Sequence, residues 1–178
     1  MSRWQHFTLF LDRDGVINRK LENDYVKTPE EFEFLPGVLE ALKGFKKFFR
    51  KIIIVTNQQG IGKGLMTVEE LEKVHAFMLR TIKAAGGRID AIYYCPSLAS
   101  QNDPNRKPEI GMALQAKKDY PEINFSKALM LGDSASDMLF AKNAGMRKIW
   151  IGSSESDPHH LALKHYPDLL AFYHQIST

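Results

Sequence analysis

Five short apolar runs recur along the chain, at residues 7–11, 52–56, 89–94, 128–131 and 148–151. They are rich in Ile, Val, Phe and Tyr, and few polar positions interrupt them. This pattern is typical of strands that are buried on both faces of a sheet, whereas a half-exposed strand alternates apolar and polar residues. The sequence therefore predicts five strands of a parallel sheet.

Helical periodicity fills the segments between these runs. The first segment has an apolar stripe at Val38, Leu39, Leu42, Phe45 and Phe49, and spacings of three and four residues place them on one helix face. A second helix opens with a capping box, because Thr67 is followed by Glu70 three positions later. Four helices are predicted after the first, running from Thr67 to Gly86-Gly87, from Pro108 towards Asp119, over 134–143 and over 168–176.

The regular alternation of strand and helix predicts an α/β fold, a three-layer α/β/α sandwich on a parallel, Rossmann-like sheet. In such sheets the ligand binds outside the carboxyl ends of the strands. Residues 18–35 and 97–107 fit neither helix nor strand, and each segment follows a predicted strand end. We therefore expect both to cover the ligand-binding edge of a single domain spanning residues 1–178.

Composition and charge exclude several classes of protein. The chain has 24 basic and 21 acidic residues, a net charge of +3, and 44% apolar residues, as an ordinary folded domain has. Without a dense basic run it does not resemble a nucleic-acid-binding protein. Cys95 is the single cysteine, and the apolar run at 7–11 is too short for a signal peptide or a membrane span. We expect a cytoplasmic protein, a monomer or weak dimer, with no nucleic-acid or membrane partner.

An acidic pair follows the first predicted strand directly, in Asp12-Arg13-Asp14-Gly15. Residues two apart in extended chain point the same way, with Cα atoms about 6–7 Å apart. Two carboxylates so placed repel each other unless a cation neutralises them, and Mg²⁺ prefers oxygen ligands. The alternative at this stage is a solvent-exposed turn in which Gly15 supplies a positive φ.

Polar residues also follow the second and fourth strands. Thr56 begins a Thr-Asn-Gln-Gln-Gly sequence that could receive an anion, while Asp133 and Asp137 flank the start of a helix. Arg106-Lys107 precedes the predicted third helix, and basic residues oppose the dipole at a helix start, which favours a bound anion there. Each motif alone also has a structural interpretation, as a polar turn, a surface lysine or a helix cap.

Taken together, the four motifs resemble the haloacid dehalogenase superfamily of phosphohydrolases over about residues 7 to 151. Within it, Thr56-Asn57-Gln58-Gln59-Gly60-Ile61 and Arg106-Lys107-Pro108 are similar to the D,D-heptose 1,7-bisphosphate phosphatases and the related histidinol-phosphatases. The resemblance rests on motifs that occur in the expected order, namely Asp12-x-Asp14, Thr56, Lys107, and Gly132-Asp133 with Asp137.

The resemblance implies a role for each matching residue. Asp12 would be the nucleophile and Asp14 the general acid and base. Magnesium would be held by Asp12, the backbone carbonyl of Asp14 and Asp133, with Asp137 behind them. The phosphoryl group would be bound by Thr56, Asn57, Arg106 and Lys107. Substrate contacts would come from Arg13, Asn18, Tyr25, Gln58, Gln59, Lys63 and Ser134.

The chain departs from these relatives in two places. They usually carry a zinc loop, Cys-x-His followed by Cys-x-Cys, ahead of Arg-Lys-Pro, but here Cys95-Pro96-Ser97 is followed by 101–105 without cysteine or histidine. Structural zinc needs four nitrogen or sulfur ligands, so we expect none. Ser134 stands where the heptose enzymes often have lysine. The segments after the first two strands are too short for a separate cap domain.

The resemblance therefore implies a magnesium-dependent phosphatase for a small phosphorylated sugar, with the C7 phosphate of a heptose bisphosphate as first choice. Histidinol phosphate or another sugar phosphate is the alternative within the same class, because the fold does not determine the substrate. A phospho-accepting receiver domain also combines acids, Thr and Lys on an α/β sheet. Receivers, however, place an acceptor Asp at the end of the third strand, where this chain has Tyr94-Cys95.

Overall fold

The computed structural model describes residues 4–157, 159–162 and 164–178. Its centre is a six-stranded parallel sheet with the strand order β3-β2-β1-β4-β5-β6, the order of doubly wound Rossmann-like sheets. The predicted fold class is confirmed. The strands are β1 (Thr8–Leu11), β2 (Lys51–Asn57), β3 (Ala91–Cys95), β4 (Ala128–Gly132), β5 (Arg147–Ile151) and β6 (His165–Tyr166).

Five α-helices connect or flank these strands. They are α1 (Val38–Phe48), α2 (Val68–Ala84), α3 (Gly111–Asp119), α4 (Ala135–Ala144) and α5 (Leu169–Ser177). The capping box of α2 is formed as predicted, because the Glu70 N–H donates to the Thr67 hydroxyl at 3.1 Å and the Thr67 N–H donates to the Glu70 carboxylate at 2.8 Å. These bonds satisfy two N–H groups that the helix itself leaves free.

Alternate strand residues pack on opposite faces of the sheet and produce the three layers. Leu9 and Leu11 of β1 pack on the side of α1, α2 and α5, while Phe10 packs on the side of α3 and α4. All three side chains are fully buried. A continuous apolar strand is therefore required, because polar residues on either face would enter a core.

Two sequence predictions about elements were wrong. β6 was missed because it has only two residues, His165 and Tyr166, which is too short to show a pattern. The third helix begins at Gly111 and not at Pro108, since residues before it form a turn in which the Glu109 N–H donates to the Arg106 carbonyl at 2.8 Å. The helix-dipole argument for an anion beside Lys107 therefore does not apply.

The loops at the carboxyl edge are too small to form a cap domain. Residues 12–37, after β1, contain one short 3₁₀ turn at Pro29–Glu31, and residues 58–67, after β2, contain neither helix nor strand. The edge is thus covered by loops, as predicted. Within the described part of the chain, no helix has the length and apolarity needed to span a membrane.

Candidate active site

Three carboxylates meet where strands β1 and β4 end. These two strands are neighbours, and Leu11 lies beside Leu131, so Asp12 and Asp133 emerge side by side at the same edge. Asp137 comes from the first turn of α4. One oxygen from each of the three acids lies within 4.8 Å of the others, a spacing at which they could hold a metal ion. The sheet register therefore brings together acids that are far apart in sequence.

Lys107 lies between two acids of this cluster, Asp12 and Asp137. Its ammonium group donates to Asp12 at 2.8 Å, to Asp137 at 2.6 Å and to the backbone carbonyl of Val55 at 2.8 Å. The side chain is 2% exposed, so these three acceptors satisfy all three of its N–H donors away from water. Burial alone would lower the pKa of Lys107, but the adjacent Asp12 and Asp137 outweigh it and raise that pKa.

The single positive charge of Lys107 does not neutralise all three carboxylates of the cluster. Burial, together with Asp137, raises the pKa of Asp12 to about 8, despite the opposing effect of Lys107. Burial and Asp137 also raise the pKa of Asp133 to about 6. The buried Oδ1 atom of Asp133 has no hydrogen-bond partner among the described residues. A divalent cation would neutralise these carboxylates and satisfy this oxygen, so the site fits a metal.

Gly15 allows Asp133 to approach the turn after β1. Its φ is +90°, in the region that glycine adopts without strain, and a Cβ atom built there would overlap the carboxylate of Asp133. The sequence indicated the positive φ, but it could not show that a distant acid occupies the space of the missing side chain.

Asp14 lies in a separate hydrogen-bonded network. The Arg13 guanidinium donates to both carboxylate oxygens of Asp14 at 2.9 and 3.0 Å, and the side-chain amides of Asn18 and Gln58 donate to it at 2.9 and 2.8 Å. Burial would raise the pKa of Asp14, but Arg13 and these hydrogen bonds outweigh it and lower that pKa. In the free protein Asp14 is therefore held as a carboxylate.

This network corrects three predicted substrate contacts. Arg13 and Asn18 are fully buried and Gln58 is 1% exposed. Their polar groups are directed at Asp14, and none of the three lines the cavity above the acids. They contact Asp14 and expose almost no surface to the cavity. The Asp12-Arg13-Asp14-Gly15 sequence did not indicate these contacts, because the spacing of residues along the chain does not show which polar side chains are buried.

A cavity of about 580 Å³ opens above the acids, and most of the predicted site residues line it. It is bounded at the bottom by Asp12, Asp14, Thr56, Lys107 and Asp133. Its walls include Asn57, Gln59, Tyr25, Lys63, Arg106 and Ser134, together with Lys20, Leu21, Asn23, Asp24, Val26 and Ser136.

Two of the predicted phosphate ligands are engaged with neighbours. Asn57 accepts from the Lys107 N–H at 3.0 Å and donates to the Lys107 carbonyl at 3.1 Å, so its amide fixes the backbone of that lysine. Asn57 also lines the cavity, so its predicted contact with phosphate stays a prediction beside this support of Lys107. Thr56 is 1% exposed and accepts a hydrogen bond from Gln58 at 2.9 Å, which leaves its own O–H free to donate into the cavity.

Ser134 and Asp137 are joined at the start of α4. The Ser134 hydroxyl donates to Asp137 at 2.7 Å, and the backbone N–H groups of Asp133 and Ser134 both donate to the same carboxylate oxygen at 3.2 Å. Asp137 therefore holds the turn that carries Asp133, and its other oxygen faces Lys107. The predicted position of Asp137 behind the metal ligands stays a prediction, since Asp137 also belongs to the group of three acids that could hold the ion.

Sequence reasoning missed two residues. Lys20 lines the cavity and lies near enough to Asp133 to oppose the increase in its pKa. The other is His75 of α2, whose Nε2 lies 3.1 Å from the Arg13 guanidinium. Burial and Arg13 lower the pKa of His75 to about 3, so the neutral ring accepts a hydrogen bond. Its place on the apolar face of α2 was the available signal.

The fold and the site together define a phosphohydrolase of the haloacid dehalogenase type, with a carboxylate at the end of β1, a lysine and further acids around it, and loops above. A family model described as polynucleotide kinase 3 phosphatase matches residues 8–157. The chain therefore belongs to this family within the haloacid dehalogenase superfamily, and it is a phosphatase.

Relatives of known activity agree with this assignment. The chain is 40% identical over 135 residues to D-glycero-alpha-D-manno-heptose-1,7-bisphosphate 7-phosphatase of Mycobacterium bovis, covering 76% of this chain and 71% of that protein. It is 38% identical over 140 residues to the D-glycero-beta-D-manno enzyme of Helicobacter pylori, covering 78% and 79%. The D,D-heptose 1,7-bisphosphate phosphatase from B. bronchiseptica, crystallised with magnesium and phosphate, superposes with a TM-score of 0.86 at 28% identity, covering 96% and 98%.

Proposed function

We propose that this protein is a magnesium-dependent hydrolase that removes the C7 phosphate of D-glycero-D-manno-heptose 1,7-bisphosphate. The observation that carries the proposal is the convergence of Asp12, Asp133 and Lys107 at the bottom of a polar cavity of about 580 Å³. The relatives named above act on this substrate, which favours it over the histidinol phosphate that the motifs alone left open. A receiver domain is disfavoured because β3 ends at Cys95 without an acid.

The proposed reaction has two displacements at phosphorus. A carboxylate oxygen of Asp12 forms a bond to phosphorus while the bond from phosphorus to the sugar oxygen breaks, and Asp14 gives that oxygen its proton. A water molecule then attacks the aspartyl-phosphate, returns a proton to Asp14 and releases inorganic phosphate and free Asp12. Such transfers depend mainly on alignment and charge neutralisation, which Thr56 and Lys107 supply.

Asp14 must be protonated before it can act as the acid. Arg13 holds it ionised in the free protein, but the arriving phosphate brings negative charge close to this carboxylate and raises its pKa. We infer that Asp14 takes up its proton as the substrate binds. The network of Arg13, Asn18 and Gln58 then fixes the direction in which that proton is delivered.

The metal ligands in this proposal are Asp12 and Asp133, with the backbone carbonyl of Asp14. Mg²⁺ suits the site because it takes oxygen ligands and keeps positions for waters and phosphate. When bound, it neutralises the phosphoryl oxygens and offsets the repulsion between the acids. Asp137 supports the turn that carries Asp133 and neutralises part of the charge of Lys107.

The walls of the cavity suit a polyhydroxylated, doubly charged substrate. Lys20 and Lys63 are exposed at its rim, and Lys63 lies 5.5 Å from the centre of the Tyr25 ring. Gly60 allows that ring to pack closely, since a Cβ there would lie 2.7 Å from it. We propose that Tyr25 and Gln59 contact the sugar while the two lysines attract its second phosphate.

The remaining expectations form part of the same proposal. The enzyme would act in the cytoplasm on a small phosphorylated sugar, as one domain and as a monomer or weak dimer. Its one cysteine, Cys95, is buried and free, so an oxidising compartment is not needed for folding.

The decisive test is Asp12→Asn, assayed on both anomers of the heptose bisphosphate, on heptose 7-phosphate and on histidinol phosphate. We expect kcat to fall by about 10³-fold or more, because the amide cannot act as the nucleophile. Asp119→Asn, an exposed acid at the end of α3, is the matched control and should keep wild-type rates. Wild-type turnover by Asp12→Asn would refute the mechanism, and a higher kcat/KM for histidinol phosphate would refute the substrate.

A further inference from the structure

The loop between β3 and α3 brings Arg106 and Lys107 to the cavity. Relatives with similar motifs usually close this loop with zinc, but here Cys95 is the only cysteine. Among the described residues, the one group of His, Cys, Asp or Glu side chains that could hold a metal is Asp12, Asp133 and Asp137. The loop therefore lacks the four nitrogen or sulfur ligands that structural zinc needs, and other contacts hold it in place.

A carboxylate occupies the centre of the loop. Asp103 accepts a hydrogen bond from the Ser97 hydroxyl through one oxygen and from the Asn105 N–H at 2.8 Å through the other. The hydrogen bonds from Ser97 and Asn105 lower the pKa of Asp103, and the Cys95 thiol contributes to the same effect. Asp103 therefore joins the first part of the loop, beside β3, to its last part, beside Arg106.

Arg106 is attached to both sides of this bridge. Its N–H donates to the Asp103 carbonyl at 2.9 Å, and its guanidinium donates to the Ser97 carbonyl at 3.1 Å. The other end of the guanidinium donates to Gln59 at 3.2 Å, across the cavity wall. Ser97 thus contacts Asp103 through its hydroxyl and Arg106 through its carbonyl, and it links the two residues.

We propose that Asp103 is a positioning residue for Arg106, and that its carboxylate bridge replaces the zinc of the related loop. This inference rests on the proposed phosphatase function. The bridge aims the guanidinium at the phosphoryl group, and the loop is competent without zinc. Asp103 itself touches no substrate, since it does not line the cavity.

The sign of an electrostatic effect makes the proposal testable. Removing a negative charge close to the cavity would by itself strengthen the binding of an anion. If Asp103 positions Arg106, however, Asp103→Ala weakens phosphate binding even though it removes a negative charge. Glu109→Ala is the matched control, because Glu109 is an exposed acid of the same loop.

The experiment measures the affinity for inorganic phosphate, in the presence of Mg²⁺, for the wild type, Asp103→Ala, Glu109→Ala, Arg106→Ala and the double variant Asp103→Ala/Arg106→Ala. We expect Asp103→Ala to raise the phosphate Kd and the KM by about tenfold with a smaller change in kcat, and Glu109→Ala to leave or lower the Kd. In the Arg106→Ala background the Asp103 change should have little further effect. Ser97→Ala, which removes one arm of the bridge, should shift the Kd in the same direction and covers the case that Asp103→Ala does not fold.

Three outcomes would overturn the proposal while leaving the phosphatase function intact, given an active wild type. The first is that the effects of Asp103→Ala and Arg106→Ala on the phosphate Kd multiply in the double variant, as they do for independent sites. The second is unchanged phosphate affinity in Asp103→Ala and Ser97→Ala. The third is stoichiometric zinc by elemental analysis, with phosphate affinity lost on treatment with a zinc-selective chelator followed by Mg²⁺. An inactive wild type would instead refute the proposed function.

Discussion

At the scale of single residues, the site separates two acids that the sequence presents as a pair. Asp12 faces Lys107 and the other acids, while Asp14 is surrounded by the donors of Arg13, Asn18 and Gln58. The pKa of Asp12 is raised and that of Asp14 is lowered, for these opposite reasons. Two identical side chains, two positions apart, are thereby prepared for different chemistry.

We predict that His75 stabilises this arrangement through Arg13. His75→Phe removes the acceptor from a fully buried guanidinium, which should lower the free energy of unfolding by about 1–3 kcal/mol and reduce kcat. His75→Gln keeps an acceptor and should lose much less of both. Denaturant unfolding and steady-state kinetics check this, and equal behaviour of the two variants would show that the hydrogen bond to Arg13 does not matter.

At the scale of elements, the turn after β1 and the turn after β4 are built against each other. Gly15 has no side chain, and the Asp133 carboxylate lies in the space that a Cβ would take. Asp137, at the start of α4, fixes the second turn by accepting the N–H groups of Asp133 and Ser134. The candidate metal site therefore depends on the contact between two turns as well as on its three carboxylates.

We predict that Gly15→Ala displaces Asp133 and weakens Mg²⁺ binding by at least about tenfold, in addition to the cost of a positive φ. Gly145→Ala is the control, because Gly145 has φ +77° but no atom within 4 Å of its Cβ position among the described residues. Both variants should lose some thermal stability. A titration with Mg²⁺, followed by the shift in Tm, separates them, and equal Mg²⁺ affinity would contradict the prediction.

At the scale of the whole molecule, buried negative charge links the stability of the fold to metal and pH. The pKa of Asp12 is raised to about 8 and that of Asp133 to about 6, above their usual value. At these two carboxylates the metal-free folded state therefore binds protons more tightly than the unfolded chain. Their contribution to the stability falls as the pH rises from the ordinary carboxyl range towards 8.

We predict that Mg²⁺ raises the Tm more at about pH 8 than at about pH 5, because at low pH protons already neutralise the acids. Without metal, Asp12→Asn should be more stable than the wild type at the higher pH, since it removes a buried charge. Thermal unfolding with Mg²⁺ and with EDTA at both pH values measures this. A Tm shift that is the same at both pH values would disprove the linkage.

The sequence by itself determined the three-layer α/β fold, because the period of apolar residues distinguishes a doubly buried strand from a helix without tertiary information. It also placed Asp12, Thr56 and Asp133 at the ligand edge, since residues that follow parallel strands share one edge. The sequence did not predict the two-residue strand β6 or the start of α3 at Gly111, because neither feature produces a local pattern of residues.

Only the tertiary structure decided what each polar side chain contacts. Arg13, Asn18 and Gln58 turn behind Asp14, and His75 reaches Arg13 from 62 residues away. Hydrogen-bond partners depend on rotamers and on the distance between elements, and neither is encoded in spacing along the chain. The sequence thus determined where the candidate site is located, and packing determined which of its residues line the cavity and which contact the others from behind.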